Sequence, residues 1–201
     1  MQRITLEDIE EMRIRGYDRS TIKDAEALLD ACRRADALIA QIDAAFDGVT
    51  LGYGIGLWES DGIDDYRGPE ELKRLRSNDE KLDWRRITAD ALNHCNAAPS
   101  FLDAQGLYFH APAFMIAELR GEFQQDFIGR LIDRSFTAPE FNDLLTPEQR
   151  HAIIACISFY GSLPIYDYDP KRIADAILHY STVDCDEQNV GPKPPSVRFE
   201  L

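Results

Sequence analysis

The sequence predicts an all-α fold, a single domain over 1–201 built as an irregular bundle of six to eight helices. Three observations carry this expectation. From Ile22 to Phe46 the residues Ile22, Ala25, Leu29, Cys32, Ala35, Ile39, Ile42 and Phe46 keep helical spacing for almost seven turns. Helix-start signals recur along the chain, the fullest being Thr146-Pro147-Glu148-Gln149, with Thr as cap, Pro in the first turn and Gln149 able to reach back. Finally, Pro99–Leu119 (PSFLDAQGLYFHAPAFMIAEL) sets more large apolar side chains between turn residues than any other stretch, so it is expected at the centre of the core.

Taken in order, Thr5 and Asp8 form a capping box ahead of Leu6, Ile9 and Met12, and Gly16 ends the element. Its weak apolar stripe predicts a peripheral helix over residues 5–15. The long helix starts near Ser20 and closes at Asp47-Gly48, with Arg33 and Arg34 on its solvated face. Between Val49 and Pro69 the texture changes, Gly52, Gly54 and Gly56 alternating with Tyr53, Ile55 and Leu57. A dinucleotide fingerprint would need a glycine where Glu59 stands, and no Gly-Lys-Ser/Thr follows, so this reads as a flexible or hairpin-like connection. Trp58 to Tyr66 mixes Glu59, Asp61, Asp64 and Asp65 with Trp58, Ile63 and Tyr66. It lacks a calcium-loop pattern and reads either as a solvated acidic turn or as a partner-binding patch.

Pro69-Glu70-Glu71 opens a helix with Leu72 and Leu75 inward and Lys73, Arg74 and Arg76 where cations suit the helix dipole. Thr88 caps a short helix reaching Leu92, and His94-Cys95 follows. In the central stretch Ser100 is expected to cap a short turn that Gly106 stops, with Pro112 in the first turn of a second helix running to Leu119. Phe123, Phe127, Ile128, Leu131 and Ile132 keep helical spacing to Arg134, and a turn-rich connection from Thr137 packs Phe141, Leu144 and Leu145. The Thr146 helix buries Ile153, Ile154, Cys156, Ile157 and Tyr160 before Gly161. The last helix, from Asp169-Pro170, carries Ile173, Ala176, Ile177 and Tyr180. Residues 186–201 have too few apolar side chains to pack and read as an extended tail.

Thirty-six acidic against 22 basic residues give a net charge of −14, which repels phosphate backbones and anionic lipid. Direct nucleic-acid and membrane binding are therefore not expected, whereas capture of a basic protein is favoured; acidity also serves solubility. No apolar run approaches the ~20 residues that span a bilayer, and Met1 opens a polar helix signal rather than a leader peptide, so a cytoplasmic location is expected. Cys32, Cys95, Cys156 and Cys185 show no CxxC spacing, which fits a reducing compartment. No motif for a cofactor or metal is present in the pattern.

Three pieces, TLGYGIGLWESDGIDDY with DWRRI, the central PSFLDAQGLYFHAPAFMIAEL, and LTPEQRHAIIACISFY, together resemble an uncharacterised bacterial family, a domain of unknown function with the pattern FLDxxGxxFxxPAxMI followed by LTPEQ. The resemblance runs from about Ala37 to Tyr160 and rests on Phe101, Leu102, Asp103, Gly106, Phe109, Pro112, Ala113, Met115 and Ile116. It implies no reaction, and its mostly apolar and turn positions point to a packing solution. The function expected from these readings is non-enzymatic protein binding by an acidic module of the immunity or inhibitor kind. Its contact residues would be Trp58, Glu59, Asp61, Asp64, Asp65 and Tyr66, with Tyr166, Asp167, Tyr168 and Asp169. The alternative is a small hydrolase using His94 and Cys95, His110 or a carboxylate pair. Catalysis would require two or more titratable groups within hydrogen-bond reach in the largest pocket.

Overall fold

The computed structural model describes residues 2–134 and 138–182. Among them the protein is all-helical, with no strand: α1 Leu6–Ile14, α2 Arg19–Ala45, α3 Leu57–Asp64, α4 Pro69–Asn78, α5 Ala89–His94, α6 Ala104–Leu119, α7 Phe127–Asp133, α8 Pro147–Gly161 and α9 Pro170–Ser181. Three 3-10 turns join them at Trp84–Arg86, Ala98–Ser100 and Pro139–Leu144. The nine α-helices exceed the expected range by one. The expected tail, Thr137 and Cys185 lie outside the described residues.

The start signals act as their chemistry dictates. Thr5 and Asp8 form the reciprocal capping box of α1, and Thr146 and Gln149 that of α8. Asp18 caps α2, accepting from the Ser20 and Thr21 amides. α1 buries only Ile9 and lies against α2, so it is peripheral. α2 packs on α6 and α8, α8 on α9, and α9 on α7.

The central stretch differs from the expectation. It forms one helix, α6, capped by Asp103, whose Oδ1 accepts from the Gly106 amide at 2.7 Å. Ser100 does not cap α6; its hydroxyl accepts from Arg130 Nη1 at 2.8 Å. Gly106 does not stop a helix but sits in its first turn, and Pro112 lies inside the helix. A mid-helix proline forfeits a backbone hydrogen bond. Burial compensates, since thirteen of the sixteen residues of α6 are buried, on every side of the helix. Leu144 is a smaller correction: at 38% exposure it stays near the surface while Phe141 and Leu145 pack.

Two features of this core generate tests. Phe114 is fully buried, stacked on Phe127 with ring centroids 4.9 Å apart and edge-on to Phe123 at 5.2 Å. Phe114→Ala is expected to cost about 3–5 kcal/mol through the cavity left behind; a urea melt with an unchanged midpoint would remove α6 from the core. Glu118, 4% exposed, uses Oε2 to accept from the Phe127 and Ile128 amides at 2.8 and 3.0 Å, closing the start of α7. Burial nevertheless pushes its carboxyl up to about 8, with the Asp126 charge adding and the two N–H bonds opposing.

Between the ordinary value of 4.5 and about 8 the unfolded chain releases this proton and the fold retains it. Stability from Glu118 therefore falls as pH rises through that window, by at most about 1.4 kcal/mol per pH unit. Glu118→Gln keeps an acceptor for both amides and should gain on the wild type as pH rises from about 5 to 8. Parallel stability–pH curves for the two proteins, measured by urea denaturation, would contradict this.

Candidate functional site

The acidic stretch after the glycines is helix α3, not a turn, and its start is built by residues distant in sequence. Gly56 at the N-cap has no side chain to offer. Asp79 supplies the cap instead, Oδ1 accepting from the Trp58 amide at 2.7 Å and Oδ2 from the Glu59 amide at 3.3 Å. Glu59 reaches back to the Gly56 amide and forms an ion pair with Arg76 at 3.0 Å. Arg76 also donates to the carbonyls of Gly52 and Gly54. It therefore pins the glycine loop as well as lying near the C-terminal end of α4, and the loop is a fixed turn rather than a hairpin.

That loop rests on α6 backbone to backbone. The Ile55 amide donates to Asp103 Oδ1 at 2.9 Å, and a Cβ on Gly54 would stand 2.5 Å from the Gly106 nitrogen. The two glycines permit this approach, and it fixes where α3 stands.

On α3, Trp58 is half-buried against the His94 ring, with centroids 5.3 Å apart. Asp61 beside it is half-buried, its carboxyl raised by desolvation and partly lowered again by His94. Asp64 and Asp65 are exposed, and Asp65 pairs with Arg67 at 2.9 Å. Tyr66 is 97% exposed and adopts a left-handed backbone with φ of 56°. It occupies the position where helix ends favour glycine: its amide donates to Ile63 O at 3.1 Å and the next amide, of Arg67, to Gly62 O at 2.9 Å.

Behind Trp58 lies a cleft of about 360 Å³ whose walls include Asp79, Glu80, Arg86, Thr88 and His110. Glu80 Oε1 accepts from the amides of Lys81, Leu82 and Asp83, which lowers its carboxyl; desolvation raises that of Asp79. Divergent carboxyls can mark an acid–base pair. Here both Asp79 oxygens and one of Glu80 already hold backbone amides, as structural caps do. Burial lowers the His110 imidazole to about 4, so it is neutral.

The second predicted cluster is tied into the fold. Tyr166 stacks on Tyr168 at 5.9 Å and contacts Tyr160 at 4.9 Å, the Tyr168 hydroxyl donates to Asp126 Oδ1 at 2.7 Å, and Asp169 caps α9. Asp167 is exposed. None of these contacts involves α3. Cys95 is fully buried, and desolvation pushes its thiol up to about 12, so it carries no thiolate beside His94 at neutral pH.

A pocket of about 890 Å³ includes Asp47, Tyr108, Glu148 and His151. Tyr108 accepts from Gln149 Nε2 at 2.9 Å and Asp47 from Arg85 at 3.0 Å. Among the described residues no two of its titratable groups hydrogen-bond each other. Neither do any three His, Cys, Asp or Glu group to hold a metal ion, and no helix is long and apolar enough to cross a membrane. Cys32, Cys95 and Cys156 are free and buried.

A family model described as a family of unknown function, DUF6714, matches residues 34–180. The chain belongs to DUF6714. The match starts within α2 and runs through α9, so it extends past the Tyr160 limit of the resemblance seen in the sequence. α1 lies outside it. No curated protein and no solved structure matches this DUF6714 chain.

Sequence reasoning missed Asp79 and Glu80, and read Thr88 only as a cap and Arg76 only as a helix-end cation, because their place in the site depends on α3 being brought against the 78–88 segment. The glycine pair was visible as a pattern but not as a contact. Gly54→Ala, which forces the loop off α6, is expected to cost about 1–3 kcal/mol. Wild-type stability in a thermal melt would show the approach to be slack.

Proposed function

We propose that this DUF6714 protein is a non-enzymatic binding module whose α3 face captures a basic protein. The observation that carries this is Tyr66. A tyrosine in the left-handed region costs about 1–2 kcal/mol relative to glycine, and its ring, 97% exposed, lies in water with no burial among the described residues to offset that cost. Strain retained at an exposed aromatic flanked by carboxylates is what a contact surface keeps and a merely solvated helix end does not. Trp58 supplies a second aromatic and Asp61, Asp64 and Asp65 the charge, with the net −14 extending the field. Glu59 takes part by holding α3. The second cluster contributes through exposed Asp167 and the edges of Tyr166 and Tyr168, Asp169 serving as a cap. A bacterial cytoplasmic protein of the immunity or inhibitor kind fits this reading by analogy of build and charge.

Tyr66→Gly is expected to raise stability by about 1 kcal/mol while weakening the partner complex. With a partner recovered by pull-down, surface plasmon resonance should show association slowing with salt and with Asp64→Asn/Asp65→Asn. Trp58→Ala should instead speed dissociation. If Tyr66→Gly, the Asn variant and Trp58→Ala all bind like the wild type at any salt, the α3 face is not the interface.

A further inference from the structure

Glu118 and Tyr160 are both kept from water at a cost. The groups that act on the Glu118 carboxyl come from three elements: Asp126 at the start of α7, Cys156 and Tyr160 of α8, and Tyr166 and Tyr168 of the connection between α8 and α9. Desolvation pushes the thiol and the three phenols up, so all four stay neutral, and Asp126 adds a second negative charge. The Phe127 and Ile128 amides and the chain's amino-terminal charge favour a carboxylate there, but burial outweighs them. Tyr160 is fully buried, and among the described residues its hydroxyl has no hydrogen-bond partner. An unpaired hydroxyl and a desolvated carboxyl both count against the closed packing.

The segment shared by these two groups is held lightly. Between the buried Leu163 and the Asp169 cap of α9, Pro164, Ile165 and Asp167 are exposed, and only Tyr166 and Tyr168 turn inward. Tyr166 lies against the Tyr160 ring at 4.9 Å and stacks on Tyr168 at 5.9 Å, while the Tyr168 hydroxyl latches onto Asp126 Oδ1 at 2.7 Å. Fixed ends, with a middle held by two rings and one side-chain hydrogen bond, let a segment open without unfolding the rest. We propose that residues 164–168 are a strap, closed over Glu118 and Tyr160 while Glu118 holds its proton and opened when that proton leaves. Opening hydrates the carboxylate and gives the Tyr160 hydroxyl a water partner, so one movement relieves both. Linkage sets the direction. A carboxyl pushed up to about 8 when closed and returned to its ordinary 4.5 in water loses its proton on opening, so rising pH favours the open form. The strap is independent of the α3-face reading.

The test is amide hydrogen exchange of the isotope-labelled full chain, read by NMR as protection relative to the intrinsic rate at each pH. Three amides report: Phe127 and Ile128, which Glu118 holds, and Tyr166, which donates to Leu163 O at 3.1 Å within the strap. Their protection should fall together, by up to tenfold per pH unit between about pH 5 and 8, and level off above. It should stay below the protection that global unfolding sets, measured in urea at the same pH. Glu118→Gln should flatten the dependence. Tyr168→Phe, which removes the latch, should lower protection about fivefold at every pH, the worth of one hydrogen bond, and keep the slope. Protection independent of pH in the wild type, or equal to that of global unfolding throughout, would overturn the strap. So would a fall at Phe127 and Ile128 with Tyr166 unmoved or unprotected at pH 5, since the carboxyl would then be reached by another route.

Discussion

A helix with no polar face has to be surrounded, and the burial of α6 on all sides is the constraint from which the other elements take their places. α2, α7 and the Pro139–Leu144 turn close around it, and the glycine loop closes the remaining side at its N-terminal end. Every polar group inside such a helix then has to be satisfied locally. Glu118 meets this by capping α7, at the expense of a carboxyl that prefers to stay protonated. His110 meets half of it, on Gly106, and leaves its other nitrogen buried without a hydrogen-bond partner among the described residues. The acidic helix α3, the cleft and the buried histidine are consequences of one packing decision.

The acidity of the chain divides into two populations with different physics. Asp18, Asp83, Asp103, Asp126 and Asp169 each accept backbone amides at helix starts, where a carboxylate both satisfies orphan donors and complements the helix dipole. Asp79 does the same for α3 from a distance. Asp64 and Asp65 perform no such task and face solvent at the end of α3, next to a strained and exposed tyrosine. A net charge of −14 by itself does not separate these groups. Their hydrogen-bond partners do, since a carboxylate that holds a helix start is committed to the fold and one that faces solvent is not.

What the sequence determined was whatever depends on neighbours along the chain. The apolar spacing of α2, the capping boxes of α1 and α8, the Pro-led starts of α4 and α9 and the apolar density of α6 are all local, and each was legible because a helix repeats every 3.6 residues and its caps lie within one turn. Tertiary structure decided what depends on residues far apart. Whether Gly106 ends a helix or admits another backbone is settled by Ile55 and Gly54, half a hundred positions away. Whether an acidic run after a glycine is a turn or a helix is settled by Asp79, which lends its carboxylate to a cap that has none. Whether Pro112 breaks a helix is settled by the surroundings that hold α6 together. The site followed the same rule: Trp58 and the α3 acids were visible as a composition, while the cleft at their back exists only where the 78–88 segment and His110 meet, because a concave surface is made by chain segments that only folding brings together.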